Sequence, residues 1–281
     1  MHMDIRCMPC FIKQVQKEID GSDLGDETKV NVMREILSLL SGMDYAKAPV
    51  DVSLLMHNRM MELGVVKDPY HALKVTSTER ALETVKEIER EIANSEYPIY
   101  ESILASLAGN VIDYGAKNQL DLHEVLAKAK RKGFRLNDHG RFLLDLQDAR
   151  SIVIFLDNSG EVVFDHLMMR TIHRFYPQIR FRVIVKRVPL LNDVTRDDVI
   201  KAGMVEDYID IEEVPVDGWV KPEHLEQYKD ADILLAKGQG NFESLSEAGG
   251  VYFLLIVKCD VVAEYLNVDL GEMVFMYSGD R

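Results

Sequence analysis

The sequence predicts an α/β protein, in which a mostly parallel, Rossmann-like three-layer sheet domain follows an N-terminal helical domain. Three observations carry that expectation. Helical periodicity dominates the chain up to Phe134, with no convincing strand before it. Beyond Phe134, short apolar runs alternate with helical patterns. At 281 residues, with 47% hydrophobic and 28% charged, the chain has the length and composition to bury a substantial core.

The elements follow in order. Residues 27–41 place Val30, Met33, Ile36, Leu37 and Leu40 at helical spacing, and Gly42 ends the run. Residues 76–93 set Leu82, Val85 and Ile88 among Glu and Lys. Pro98 follows, and residues 100–114 form a more apolar helix. Residues 120–132 are amphipathic and end at Gly133. Apolar runs at 152–156, 181–185, 233–236, 252–257 and 274–276 then alternate with helical stretches at 162–176, 195–202, 222–229 and 242–248. Strands separated by helices imply βαβ units, whose right-handed crossovers bring the strand ends to one edge. The expected division is a helical domain over 1–133 that contributes to a cleft, and an α/β domain over 134–281.

The net charge of −14 repels phosphate backbones and anionic lipid, which argues against nucleic-acid or membrane-surface partners. No window approaches the roughly 18 apolar residues of a membrane span, and residues 1–16 lack the apolar stretch of a signal peptide. Three cysteines argue against a disulfide framework and for a reducing compartment, so the expected location is the cytoplasm. The oligomeric state is not legible.

In open α/β sheets, ligands sit outside the carboxyl ends of the strands. The first run is followed by Asp157-Asn158-Ser159-Gly160-Glu161, and the second, after residues 186–191, by Asn192-Asp193-Val194-Thr195. Lys237-Gly238-Gln239-Gly240-Asn241 follows the third, and Lys258 the fourth. Asp157, Asn158 and Asp193 offer hard oxygen ligands with no thiolate or imidazole, a set suited to Mg²⁺ or Mn²⁺. Gly238, Gly240 and a helix starting near Asn241 offer backbone N–H groups to an anion. Lys237 and Lys258 would neutralise phosphoryl charge, and a metal would polarise the phosphoryl oxygen. Each piece has a plainer reading: Asp157 as a helix cap, residues 192–195 as a turn, residues 237–240 as a strand-to-helix turn. Those readings leave unexplained why one edge collects all of them.

The ordered short motifs resemble the damage-control phosphatase family, formerly the domain of unknown function eighty-nine, over nearly the whole chain. They are Cys7-Met8-Pro9-Cys10 with Phe11 and Gln14, Asp68-Pro69-Tyr70 with Lys74, and Ala108-Gly109-Asn110-Val111-Ile112-Asp113-Tyr114. The three strand-end clusters, extended through Phe242-Glu243, and Lys258-Cys259 complete the series. The resemblance implies a helical domain packed on an α/β domain. It also implies hydrolysis of small phosphomonoesters, sugar phosphates and damaged phosphometabolites among them, with a divalent cation (Mg, Mn, Co or Ni). It makes Asp157, Asn158 and Asp193 the metal ligands. Glu161, the loop Gln239 to Asn241 and Lys258 match substrate-contacting positions, and Asn110 and Asp113 would be contributions from the helical part.

Cys7-x-x-Cys10 resembles the microbial branch of that family, and two cysteines at this spacing are half a metal site or a redox pair. His57 could complete such a site; His139 and His166 read as turn or surface residues. A haloacid-dehalogenase-type phosphatase wants a second Asp two residues after the first, where this chain has Ser159. A dehydrogenase or methyltransferase wants Gly-x-Gly-x-x-Gly, which the strand-end loops lack. A sugar-phosphate sensor that binds without turnover would keep the same residues.

Overall fold

A computed structural model describes residues 1–65, 68–109 and 122–279 of the chain. The helices are α1 (Cys7–Asp20), α2 (Asp26–Ser41), α3 (Pro49–Glu62), α4 (His71–Ala93), α5 (Pro98–Gly109) and α6 (Leu122–Lys132). Then come β1 (Leu136–Asn137), α7 (His139–Asp148), β2 (Ser151–Phe155), α8 (Glu161–Phe175), β3 (Arg180–Val185), α9 (Arg196–Lys201) and β4 (Ile209–Glu213). A 3-10 helix (Pro222–Tyr228) precedes β5 (Ile233–Lys237), α10 (Gly238–Leu245), β6 (Val251–Ile256), α11 (Asp260–Leu266) and β7 (Met273–Tyr277).

The seven strands lie in the order β1-β7-β6-β5-β2-β3-β4. All neighbours pair in parallel except β6 and β7. The chain leaves β2 toward β3 and β4, then returns to place β5 on the other side of β2. That reversal makes the β2/β5 boundary the switch point of the sheet, where an open α/β fold leaves a crevice at the carboxyl ends.

Alternation along the strands sends side chains to two separate cores. On one face Ile152, Ile154, Phe181, Val183, Leu235, Leu254 and Phe275 pack with α4 to α8. On the other, Val153, Phe155, Ile184, Ala236, Phe253, Leu255 and Val274 pack with α10, α11 and the 3-10 helix. Helices α1 to α3 form a third cluster around Phe11, Val15, Ile36 and Met56. Burying each such side chain stabilises by roughly 1.5–3 kcal/mol. The helices before Phe134 therefore divide: α4, α5 and α6 share the core of the sheet, and only α1 to α3 have a core of their own.

The structure moves several expected boundaries. The helix expected at 242–248 is α10, which starts at Gly238 within the glycine loop and ends at Leu245. The stretch at 222–229 is 3-10 and not α. The helix expected over 100–114 is described as far as Gly109; Asn110 and Asp113 lie outside the described residues. Edge strand β4 (Ile-Asp-Ile-Glu-Glu) escapes an apolar search because its carboxylates face outward on a strand paired on one side only. Among the described residues no helix is long and apolar enough to cross a membrane.

Candidate active site

The turn after β2 and the loop after β3 are sewn together by backbone bonds. Val194 N–H donates to the Asp157 carbonyl at 2.9 Å, and Ser159 N–H donates to the Asn192 carbonyl at 3.1 Å. Asn158 and Asp193 thereby form an isolated antiparallel bridge. Leu191 holds φ at 51° in this loop, a strained conformation for a non-glycine residue and common at functional sites. Asp198 accepts from Thr195 N–H at 2.9 Å and from the Thr195 hydroxyl at 2.8 Å, fixing the loop to the start of α9. Lys74 of α4, itself buried, braces the same carboxylate at 3.4 Å and Asp68 at 3.6 Å. The Asp68 to Lys74 motif is thus a strut from α4 to the loop that carries Asp193.

The third strand end completes the site. Gly238 has φ +79°, and a Cβ built there would lie 2.0 Å from Asp157 Oδ2. The Asp157 carboxylate occupies the volume that any other residue at 238 would fill. Glycine is required twice over, by conformation and by space. The Asn158 carboxamide donates from Nδ2 to Asp157 Oδ2 at 2.6 Å and to Glu161 Oε2 at 3.3 Å. Asp193 Oδ2 faces the buried Lys186 ammonium at 3.3 Å.

Burial pushes the Asp157 carboxyl well above the usual carboxylate range, and repulsion from Asp193 and Glu161 adds to it. Burial also raises Asp193, against the pull of Lys186; it lowers Lys186, against the pull of Asp193 and Asp157. Two buried aspartates that resist ionisation, beside an oxygen-donor carboxamide, fit a hard divalent cation. Asp157, Asn158 and Asp193 would hold it. Among the described residues no three His, Cys, Asp or Glu side chains form a metal cluster, so the Asn158 oxygen is needed to complete such a set.

These residues open onto a cavity of about 400 Å³ between the strand ends and helices α1 and α3. Asp157, Asn158, Asp193, Gln239, Gly240 and Lys258 line it from the sheet side. Cys7, Cys10, Phe11, Gln14, Val50 and Ser53 line it from the helical side. Gln239 ties the wall together, accepting from Lys258 N–H at 3.0 Å and donating to Glu243 at 2.8 Å. Burial pushes the Glu243 carboxyl up to about 7, against the bond from Gln239.

Five sequence expectations need correction, those for Lys237, Glu161, Asn241, His57 and His166. Lys237 is not a solvent-facing phosphate ligand: its side chain is 0% exposed, and its ammonium lies 2.6 Å from both Glu161 and Asp165. It also donates to Ser106, whose hydroxyl in turn donates to Asp165. Glu161 is likewise fully buried, so it acts on the cavity through Asn158 and not directly. Asn241 donates from its carboxamide to the Lys237 carbonyl at 2.7 Å and the Leu156 carbonyl at 3.0 Å, stapling the ends of β2 and β5. His57 is not beside the cysteines as a ligand but buried against Glu18 at 3.9 Å, and His166 is buried against Glu206 at 2.8 Å. All three thiols are free, and all three line the cavity. Sequence reading missed Lys186, Asp165 and Trp219; the available signals were a lysine directly after an apolar run and the single tryptophan of the chain.

Fold and site together define an α/β protein with an acidic, candidate metal-binding crevice at the switch point of its sheet. The chain belongs to the damage-control phosphatase ARMT1-like domain family, whose model matches residues 3–274. It is 28% identical to a damage-control phosphatase of Pyrococcus horikoshii, covering 98% of each chain. It is 26% identical to a damage-control phosphatase of Archaeoglobus fulgidus, covering 95% of this chain and 96% of that one. An uncharacterized protein of Methanocaldococcus jannaschii is 27% identical over 96% of this chain and 93% of its own. The crystal structure of a DUF89 family protein from Pyrococcus horikoshii matches the fold with a TM-score of 0.88, at 27% identity and 99% coverage of both chains.

Proposed function

We propose that this chain is a divalent-metal-dependent phosphatase that hydrolyses phosphomonoesters of small metabolites, with sugar phosphates and related damaged phosphometabolites as its substrate class. The observation that carries the reading is the convergence of Asp157, Asn158 and Asp193 beside the first turn of α10. A bound divalent cation supplies Lewis-acid polarisation of the phosphoryl group. The chain supplies the rest. Lys258, exposed on the cavity wall, neutralises charge on the phosphoryl oxygens. Gln239 and Gly240, in the first turn of α10, line the same cavity, and the N–H groups of a helix start are donors suited to an anion. Helices α1 and α3 cover the cavity opposite the aspartates, which limits water access and shapes the space for the part of the substrate beyond phosphate.

Ser159 argues against the haloacid-dehalogenase scheme: it is fully buried and its hydroxyl donates to the Asn192 carbonyl at 3.1 Å, so it cannot protonate a leaving group. The test is turnover of an aryl phosphate before and after chelation, with Mg²⁺, Mn²⁺, Co²⁺ or Ni²⁺ restored. Activity is expected to vanish with chelator and return with metal. Asp157→Ala and Asp193→Ala should each lose both activity and metal binding while the fold survives. Full turnover by metal-free protein would refute the proposal.

A further inference from the structure

Trp219 is the single tryptophan of the chain, and the structure sets it into the wall of the candidate active-site cavity. It sits in the connection between β4 and the 3-10 helix, 5% exposed, packed with Val50 of α3 and Leu190 of the Asp193 loop. Lys186, the partner of Asp193, lies over its ring with the ammonium 4.8 Å from the centroid. Its nitrogen edge is turned toward α10: a Cβ built on Gly240 would come within 2.7 Å of Trp219 Nε1.

That nitrogen is buried and has no hydrogen-bond acceptor among the described residues. An indole N–H can only donate. A buried donor without an acceptor is destabilising, and a purely apolar ring at this position would avoid that penalty. Gly240 lies in the first turn of α10, where backbone N–H groups have no partner within the helix. The indole N–H is therefore a buried donor without an acceptor, set against the first turn of α10.

We propose that Trp219 is a substrate-binding residue, whose indole N–H donates to a phosphoryl oxygen held at the first turn of α10. This rests on the phosphatase reading and extends it to a residue on a connection far from the strand-end motifs. The ring also holds Lys186 against Asp193, which places the donor at a fixed distance from the aspartates.

A single tryptophan gives a single indole resonance in a ¹H–¹⁵N spectrum, so the wild-type protein can be tested directly. Inorganic phosphate is added to the Mg²⁺-loaded protein, and the indole proton is expected to move downfield and saturate with the phosphate affinity found by calorimetry. Trp219→Phe should bind phosphate about tenfold more weakly, the loss of roughly one hydrogen bond, while still folding and binding Mg²⁺. An indole resonance that stays put at phosphate saturation overturns the assignment and leaves the phosphatase reading intact. Equal phosphate affinity in Trp219→Phe does the same. Wild-type protein that binds no phosphate and turns over no phosphoester with any metal overturns both. Should Trp219→Phe fail to fold, the wild-type spectrum decides alone.

Discussion

Lys237 separates two accounts of the site by the kind of defect its loss produces. If its ammonium met substrate phosphate, Lys237→Met would raise KM and leave stability alone. The structure places it between Glu161 and Asp165 with no solvent exposure. Removing one partner of a buried ion pair leaves uncompensated charge and destabilises by about 3–5 kcal/mol. In a chain of this size, each kcal/mol lowers the melting temperature by about 2–4 °C, so a fall of roughly 6–20 °C is expected. Because Glu161 also accepts from Asn158, metal affinity should drop as well. The double change Lys237→Met with Asp165→Leu removes one of the stranded carboxylates and should recover part of the loss. Thermal melts of apo and metal-loaded protein read all three effects. A single variant melting within 2 °C of wild type, with KM alone changed, would refute the buried-hub argument.

Three further outcomes follow from the same geometry. Gly238→Ala forces both a positive φ, costing about 1–2 kcal/mol, and displacement of the Asp157 carboxylate; Mn²⁺ affinity measured by calorimetry should fall by tenfold or more, and unchanged affinity would contradict it. Asp157→Asn removes a carboxyl whose ionisation is opposed by burial and two neighbouring carboxylates, so the metal-free variant should be more stable than wild type by about 1–2 kcal/mol, while losing metal binding. Glu243 holds its proton more tightly folded than unfolded, since burial lifts it from 4.5 to about 7. Its contribution to stability is complete below the unfolded pKa and is lost as pH rises through the folded value. Glu243→Gln should flatten stability between those two pH values and exceed wild type above the upper one, by up to about 3 kcal/mol; urea melts across the range decide it.

Some of this was legible in the sequence because parallel topology is geometrically strict. Once apolar runs alternate with helices, the residues after each run must share an edge, and Asp157, Asn158, Asp193 and Lys258 line the same cavity. What stayed hidden depends on partners remote in the chain. A lysine after a strand reads as exposed, and Lys237 is buried only because Ser106 and Asp165 come from α5 and α8 to meet it. Helix α1 shows Cys7, Phe11, Val15 and Ile19 at spacings of four, yet the cysteine spacing draws the eye first. The core of the sheet extends back to α4, since amphipathic helices do not announce which apolar surface they cover.

The acidity of the chain poses an electrostatic problem for any anionic substrate, and the site contains its resolution. Around the sheet end, Asp157, Asp193, Glu161 and Asp165 stand against Lys186, Lys237 and Lys258. Fully ionised, four carboxylates and three ammoniums leave one net negative charge, and a proton kept on a buried aspartate brings the metal-free cluster only to zero. A divalent cation on the ionised aspartates turns the cluster to one net positive charge. A unit charge about 5 Å from a phosphate oxygen is worth about 3 kcal/mol at an effective dielectric of about 20, or more than about 100-fold in affinity. On the proposed phosphatase reading, phosphate is expected to bind after metal. Calorimetry of inorganic phosphate against metal-free protein should show no heat at concentrations that saturate the Mg²⁺ form. Tight phosphate binding by the chelated protein would mean that Lys258 and the α10 amides suffice without the cation, and the acidic cluster would need another purpose.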